Sequence, residues 1–391
     1  MPTYNLRRFA DPDALKRMQK QYLLDLLLPH GAYFAGRGLT LSSTDGAEIN
    51  HQALADILLN PDDAMPPPLV DALYYVNEMD TPEGMDDLLD AAAASGIELD
   101  SGAEMTPADV AVQLWMKDRG LFERQHAEQF LRRPRSFESF QSHESQRRPP
   151  DLSSQALAAL EKDLDDWFET KKRGRGSRVF AYPRDDEVWF LVRHGQPFKR
   201  EGSLKGKESS SVYYRPEKHD VVVYNQVLGE LRMNAASQGE KELYQAAFGL
   251  RLFGSEEYFP GTAKYTLEPL RHDAEASLVC NDVDGMEWAK LTEIRYYWGG
   301  AEGEVEIRRA EDILAALARR NSKIPGGPHP RIVRATFRAK FADSKTPRSV
   351  CIRPSNIAQY SRDADGALVE QWLTKRGFIL AGQAEGDEET E

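Results

Sequence analysis

Two short stretches of this chain hold residue types that can do chemistry. Arg193 and His194 sit side by side in Leu191-Val-Arg-His-Gly-Gln196, a fixed cation next to a side chain that exchanges a proton near neutral pH. Asp220 opens one apolar run, Asp220-Val-Val-Val-Tyr224, and Glu230 opens the next, Glu230-Leu-Arg-Met-Asn234, with Arg232 two places after Glu230. Paired carboxylates can hold a divalent ion through hard oxygen ligands, and a neighbouring cation can steady a phosphoryl group.

The first stretch resembles the signature of the histidine phosphatase family, in which the histidine is the phosphorylated nucleophile and the arginine holds the phosphate. That resemblance covers six residues and implies His194 as the nucleophile. It departs from the family at Pro197-Phe-Lys-Arg200, and no later Ser-His-Gly supplies a second histidine. The second stretch resembles a loose PD-(D/E)xK nuclease core, which implies a Mg²⁺-dependent nuclease with Asp220 and Glu230 as metal ligands. Here Arg232 stands where that core has a lysine, and a guanidinium does not release a proton near neutral pH.

The elements that would position these groups are strands. Both apolar runs alternate with period two around Gly229, the pattern of an antiparallel hairpin. A loop centred on Val227 sets Tyr224 opposite Glu230 and Asp220 opposite Asn234. Val221, Val223, Leu231 and Met233 then face a core, leaving Asp220, Tyr224, Glu230, Arg232 and Asn234 on a polar face. In that register Asp220 and Glu230 lie about 13 Å apart, at roughly 3.3 Å per residue, too far to share one ion. The expectation is therefore a structural hairpin. Glu240 to Phe253 follows at helical spacing.

Other constellations are weaker. Gly31 to Gly38 is glycine-spaced but lacks the Gly-Lys-Ser/Thr ending of a phosphate-cradling loop. The eight histidines are scattered, and Asp282, Asp284 and Glu287 do not match a twelve-residue calcium loop. No cofactor is implied, apart from Mg²⁺ under the nuclease reading.

Around these stretches the chain divides. A length of 391 residues suits more than one core. Residues 1–132 read as an acidic all-α bundle of five or six short helices, with Thr81-Pro82 and Thr106-Pro107 as helix starts. Residues 133–152 are rich in Ser, Arg, Gln and Pro and read as a linker. Residues 153–380 read as an α+β domain on a largely antiparallel sheet, and residues 381–391 as a disordered acidic tail. Two cysteines, Cys280 and Cys351, give no disulfide or zinc pattern, and no run is long and apolar enough to span a bilayer. A cytoplasmic protein without a membrane partner is expected.

The formal net charge is −13, yet two segments are basic. Lys171 to Lys218 has thirteen basic against six acidic residues, and Arg319 to Arg353 has ten against one. In Val333 to Phe341 the apolar residues alternate with Arg334, Thr336, Arg338 and Lys340. The expectation is a nucleic-acid-binding, non-catalytic accessory subunit of a bacterial DNA-processing or phage-defence assembly, with DNA ahead of RNA. Arg334, Arg338, Lys340, Arg348 and Arg353 would contact phosphates first, and Lys199, Arg200, Lys205 and Lys207 second. The helical domain would dock a protein partner. The alternatives are the nuclease and a protein-only scaffold.

Overall fold

The computed structural model describes residues 5–43, 48–102, 104–142 and 149–380. The acidic tail expected at 381–391 lies outside the described residues. The chain divides into two units, Met1–Gln129 with Glu201–Val212, and Phe130–Arg200 with Tyr213–Glu391.

The first unit is helical: α1 (Pro12–Arg17), α2 (Lys20–Leu27), α3 (Gly31–Gly36), α4 (His51–Leu59), α5 (Pro67–Met79), α6 (Pro82–Ala94), α7 (Pro107–Lys117) and α8 (Arg119–Glu128). Among the described residues there are more helices here than the spacing predicts, in part because Met18 and Gln19 between α1 and α2, and Asp118 between α7 and α8, sit in extended backbone. Thr81 and Thr106 cap α6 and α7, as their sequences anticipate. Asp109 completes a capping box with Thr106 and also accepts the Gln19 amide at 2.9 Å, tying α7 to the start of α2. Leu54, Leu58, Leu69, Leu73, Val110 and Leu114 are wholly buried in the core between the helices. Each such side chain contributes about 1.5–3 kcal/mol.

The second unit is an α+β domain with one large sheet. Its strands are β1 (Ser136–Gln141), β2 (Arg178–Arg184), β3 (Glu187–Gly195), β6 (Glu217–Asn225), β7 (Glu230–Met233), β8 (Met286–Gly299), β9 (Glu304–Arg309), β10 (Arg331–Phe341), β11 (Arg348–Arg353) and β12 (Ile357–Gln359). The order is β2-β3-β6-β7-β1-β12-β11-β10-β8-β9, and the ladders are antiparallel. Between β3 and β6 the chain forms a separate ribbon, β4 (Lys199–Lys205) and β5 (Glu208–Tyr214). The helices are α9 (Ser154–Thr170), α10 (Gln238–Phe248) running into a π-helical turn Gly249–Phe253, α11 (Pro269–His272), α12 (Ile313–Arg319) and α13 (Arg362–Lys375).

One sequence expectation changes here. The stretch expected as a linker supplies β1, which sits mid-sheet between β7 and β12. Phe137 and Phe140 anchor it, both almost fully buried. Ala274–Leu278 forms a 3-10 turn, and Tyr265 makes one bridge, to Ile379. After His194 the chain enters the β4–β5 ribbon, turned at Gly206 with φ +61°.

Helices cover the two halves of the sheet from opposite sides. In one half, Val188, Phe190, Val192, Val222, Tyr224, Leu231 and Met233 pack under Leu160, Leu164 and Phe168 of α9 and Tyr244 and Phe248 of α10. In the other, Leu291, Ile294, Ala335, Phe337, Val350 and Ile352 pack on Leu317 of α12 and Trp372 and Leu373 of α13. The register across the centre pairs Phe137 with Ala358 and Glu138 with Ile357. Ala358 belongs to the α13 core, so the free face of β8–β11 lies on the α9/α10 side of the sheet.

Candidate nucleic-acid interface and a buried polar cluster

That free face carries the cations. Arg334, Arg338 and Lys340 alternate with core residues along β10 and point outward. Register pairs Arg334 with Arg295 and Arg338 with Lys290 on β8. Ala335 pairs with Ile352 on β11, so one step further sets Arg353 beside Arg334. Glu293 on the same face pairs with Arg309 of β9. Three guanidinium groups, from Arg295, Arg334 and Arg353, therefore stand in one row across β8, β10 and β11. Like charges directly opposite one another on a sheet destabilise it.

Acids do not balance this row. Glu293 reaches Arg309 at 2.6 Å and Arg334 at 3.8 Å, and the Arg309 hydrogen bond holds its carboxyl below the usual range. Lys340 has Glu287 at 3.3 Å. Among the described residues, Arg295, Arg338 and Arg353 make no ion pair. Two register shifts flank the row, between Ile332 and Arg334 and between Thr336 and Phe337. Beside them, Nε of Arg295, Nε of Arg334, Oγ1 of Thr336 and Oε1 of Glu293 are buried without a hydrogen-bond partner. Buried polar groups in folded proteins are nearly always satisfied, by protein, water or ligand.

Arg348 departs from its expected role. It pairs with Ala339, on the core-facing side, where its guanidinium bonds Asp365 of α13 and lies over Phe341. It lies five positions before Arg353, and an odd spacing along a strand means opposite faces. Arg295, Lys290 and Arg309 join the face although the sequence reading did not name them. Their membership depends on pairing between distant strands.

The second expected group lies on the ribbon. Lys199, Arg200, Lys205 and Lys207 are exposed, the last two flanking the Gly206 turn. At the base of the ribbon Phe198 and Tyr213 stack with centroids 5.4 Å apart, and Arg215 lies 4.5 Å over Phe198.

The catalytic candidates are distributed differently from the expected hairpin. Asn225, not Tyr224, pairs with Glu230. A shift of one residue exchanges faces, so Asp220 faces α9 and α10 while Glu230 and Arg232 face the other way. Glu230 is bound by the buried Lys264 at 2.7 Å, and Arg232 by Glu187 at 2.7 Å. Arg193 and His194 also alternate to opposite faces, with Arg193 over the Phe180 ring. They cannot grip one phosphate together.

What the fold does unite is His194 with Asp220. His194 Nε2 lies 3.0 Å from Asp220 Oδ2, and its Nδ1 donates to the Gly195 carbonyl at 2.9 Å. The imidazole stacks on Phe168 of α9 at 4.1 Å. Tyr244 of α10 donates to Asp220 Oδ2 at 2.8 Å. Lys218 lies 3.0 Å from both Asp220 Oδ1 and Glu240 Oε1. Arg173 adds a 2.5 Å bond to Glu240, whose other oxygen accepts from Ser237.

Burial alone would raise the Asp220 carboxyl, but His194 and the Lys218 ammonium outweigh it and hold it below its ordinary value. Burial opposes ionisation of Glu240 as well, yet Arg173, Lys218 and the Ser237 amide bring it down to about 2. Burial first, then the Asp220 charge, pushes the Tyr244 phenol well up, so it stays a donor.

Ligand atoms of His194, Asp220 and Glu240 lie within 4.8 Å of one another, close enough to surround a metal ion. The Lys218 ammonium already bridges the two carboxylates there. With its lone pairs met by internal donors, the cluster is a satisfied ionic network joining β3, β6 and α10.

A scan against protein-family models and a search of curated proteins find no match for the chain. Among the described residues, no helix is long and apolar enough to cross a membrane.

Proposed function

We propose that this protein is a nucleic-acid-binding accessory subunit that grips phosphates with the free face of β8–β11, DNA ahead of RNA, and docks a protein partner through its helical unit. The observation that carries the reading is the row Arg295, Arg334 and Arg353 across β8, β10 and β11, with Glu293 divided between Arg309 and Arg334. Guanidinium groups are suited to phosphate oxygens by their planar fork of donors, and a phosphate would supply the negative charge that Glu293 alone does not. A DNA-processing or phage-defence assembly is the setting we propose. The test is binding of labelled nucleic acid across a salt series. The triple variant Arg295→Ala/Arg334→Ala/Arg353→Ala should bind more weakly and lose roughly two to three units of the log–log salt slope, at about 0.7–0.9 per phosphate contact. An unchanged slope would count against the reading.

A second reading, a metal-dependent nuclease, is favoured by one observation, the approach of His194, Asp220 and Glu240 to within 4.8 Å. It requires Lys218 to leave its place between the two acids. Cleavage of single- or double-stranded substrate with Mg²⁺ or Mn²⁺, abolished by Asp220→Asn with the fold retained, would establish it. No cleavage under those conditions would remove it.

A further inference from the structure

The phosphate-gripping face carries more than charge. Trp288 pairs with Lys340 and Tyr297 with Arg331, so both rings lie on the same face as Arg295 and Arg334. Each ring is half-buried and has a cation nearby: Lys290 is 5.4 Å from the Trp288 ring and Arg331 is 5.2 Å from the Tyr297 ring. On the edge strand β9, Val305 pairs with Tyr297 and Ile307 with Arg295. Those two aliphatic side chains are 50 % and 44 % exposed. The face thus alternates flat or apolar groups with guanidinium and ammonium groups along its length.

Trp288 and Tyr297 are nine places apart on β8, roughly 30 Å at about 3.3 Å per residue, with the arginine row between them. A duplex keeps its bases stacked inside and offers a protein its phosphates and groove edges. A single strand offers phosphates and splayed bases together, and a sheet with exposed rings is the surface on which such bases stack.

Resting on the nucleic-acid reading above, we infer that the free face of β8–β11 is a platform for single-stranded nucleic acid. Arg295, Arg334 and Arg353 hold the backbone, while Trp288, Tyr297 and the Val305/Ile307 edge receive bases. The cations now lying against the two rings then sit beside the bound strand, where they meet its phosphates.

The test uses the full chain and fluorescence anisotropy with a labelled twenty-nucleotide DNA strand, the same strand as RNA, and its DNA duplex. The single strands should bind at least ten-fold more tightly than the duplex, and the DNA and RNA arms decide which backbone is preferred. Trp288→Ala/Tyr297→Ala should weaken single-strand binding about ten-fold or more while leaving duplex binding and the salt slope unchanged. Trp288→Phe/Tyr297→Phe, which keeps flat rings, should restore most of the loss, and circular dichroism checks that each variant folds. Duplex binding equal to or tighter than single-strand binding would overturn the inference, as would ring deletions without effect. Either result leaves the broader phosphate reading standing if the arginine variants still lose affinity. If no nucleic acid binds at low salt, both fall.

Discussion

His194 and Asp220 meet across β3 and β6, with Nε2 3.0 Å from Oδ2 and both side chains almost wholly buried. The Gly195 carbonyl and the Asp220 carboxylate are both acceptors, so the ring satisfies both only by donating from each nitrogen. The pair belongs to a wider network in which Lys218 and Arg173 offset Asp220 and Glu240.

This network makes stability depend on acid. A carboxyl group held below its ordinary value in the folded state stabilises the fold above that ordinary value. Its contribution disappears as pH falls through the folded value. For Glu240, lowered from 4.5 to about 2, the window runs from about pH 4.5 to about pH 2 and the contribution is on the order of 3 kcal/mol. Asp220 adds a loss of the same sign. Urea unfolding as a function of pH should show a steep acid limb for the wild type and a flatter one for Glu240→Gln. Parallel limbs would rule out Glu240 as the source.

Lys218 is the cation shared by both acids, with its side chain 21 % exposed. Removing one partner of a buried ionic group leaves the others uncompensated and costs about 3–5 kcal/mol. Lys218→Ala should lower stability by about 3 kcal/mol at pH 7, toward the low end because solvent reaches the ammonium. The double variant Lys218→Ala/Glu240→Gln should lose less than the two single losses combined. A strictly additive double-mutant cycle would mean the two groups are not coupled.

The parts of the fold that the sequence expressed most clearly are those with one face buried. Along β10, Val333, Ala335, Phe337, Ala339 and Phe341 alternate with polar residues, and Ala335, Phe337, Ala339 and Phe341 are fully buried. The β6–β7 register was not legible, because Val221, Val222 and Val223 are all buried. A strand covered on both faces reads as a continuous apolar run, which cannot say which residue points where. β1 was hidden for a different reason. Its two core phenylalanines sit among Ser, Glu and Gln in Ser136–Gln141, and its neighbours β7 and β12 come from far along the chain. The arginine row combines both cases: Arg334 was visible from alternation, while Arg295 needed the β8–β10 pairing.

The helical unit offers a local test. Thr106 accepts the Asp109 amide at 3.2 Å, and Asp109 returns a 2.9 Å bond to the Thr106 amide. Replacing such a cap by alanine typically costs about 1 kcal/mol. Thr106→Ala should lower stability by about that amount, since the Asp109 carboxylate keeps its bonds to the Thr106 and Gln19 amides. Asp109→Ala keeps the residue-109 amide on Thr106 Oγ1 but removes the carboxylate's bonds to the Thr106 amide and hydroxyl and to the Gln19 amide, and should cost more. Chemical denaturation of the two variants decides the order, and equal losses would mean the Asp109–Gln19 bond contributes little.

Arg334 and Arg348 separate binding from folding, because they have the same chemistry on opposite faces of neighbouring strands. Arg348 is bonded to Asp365, whose side chain is 2 % exposed, and removing the guanidinium leaves that carboxylate without its partner. Burial already raises the Asp365 carboxyl. Arg348→Ala should therefore lower stability by roughly 2–3 kcal/mol and leave nucleic-acid affinity per folded molecule unchanged. Arg334 has a single long-range acid at 3.8 Å and like-charged neighbours. Arg334→Ala should leave stability unchanged within about 0.5 kcal/mol, or raise it slightly by relieving repulsion, while weakening binding and reducing the salt slope by about one unit. Urea denaturation and salt-titrated anisotropy on the same two preparations read both quantities. If Arg348→Ala proved the more damaging to binding at matched folded fraction, the phosphate contacts would have to be sought on the α13 side of the sheet.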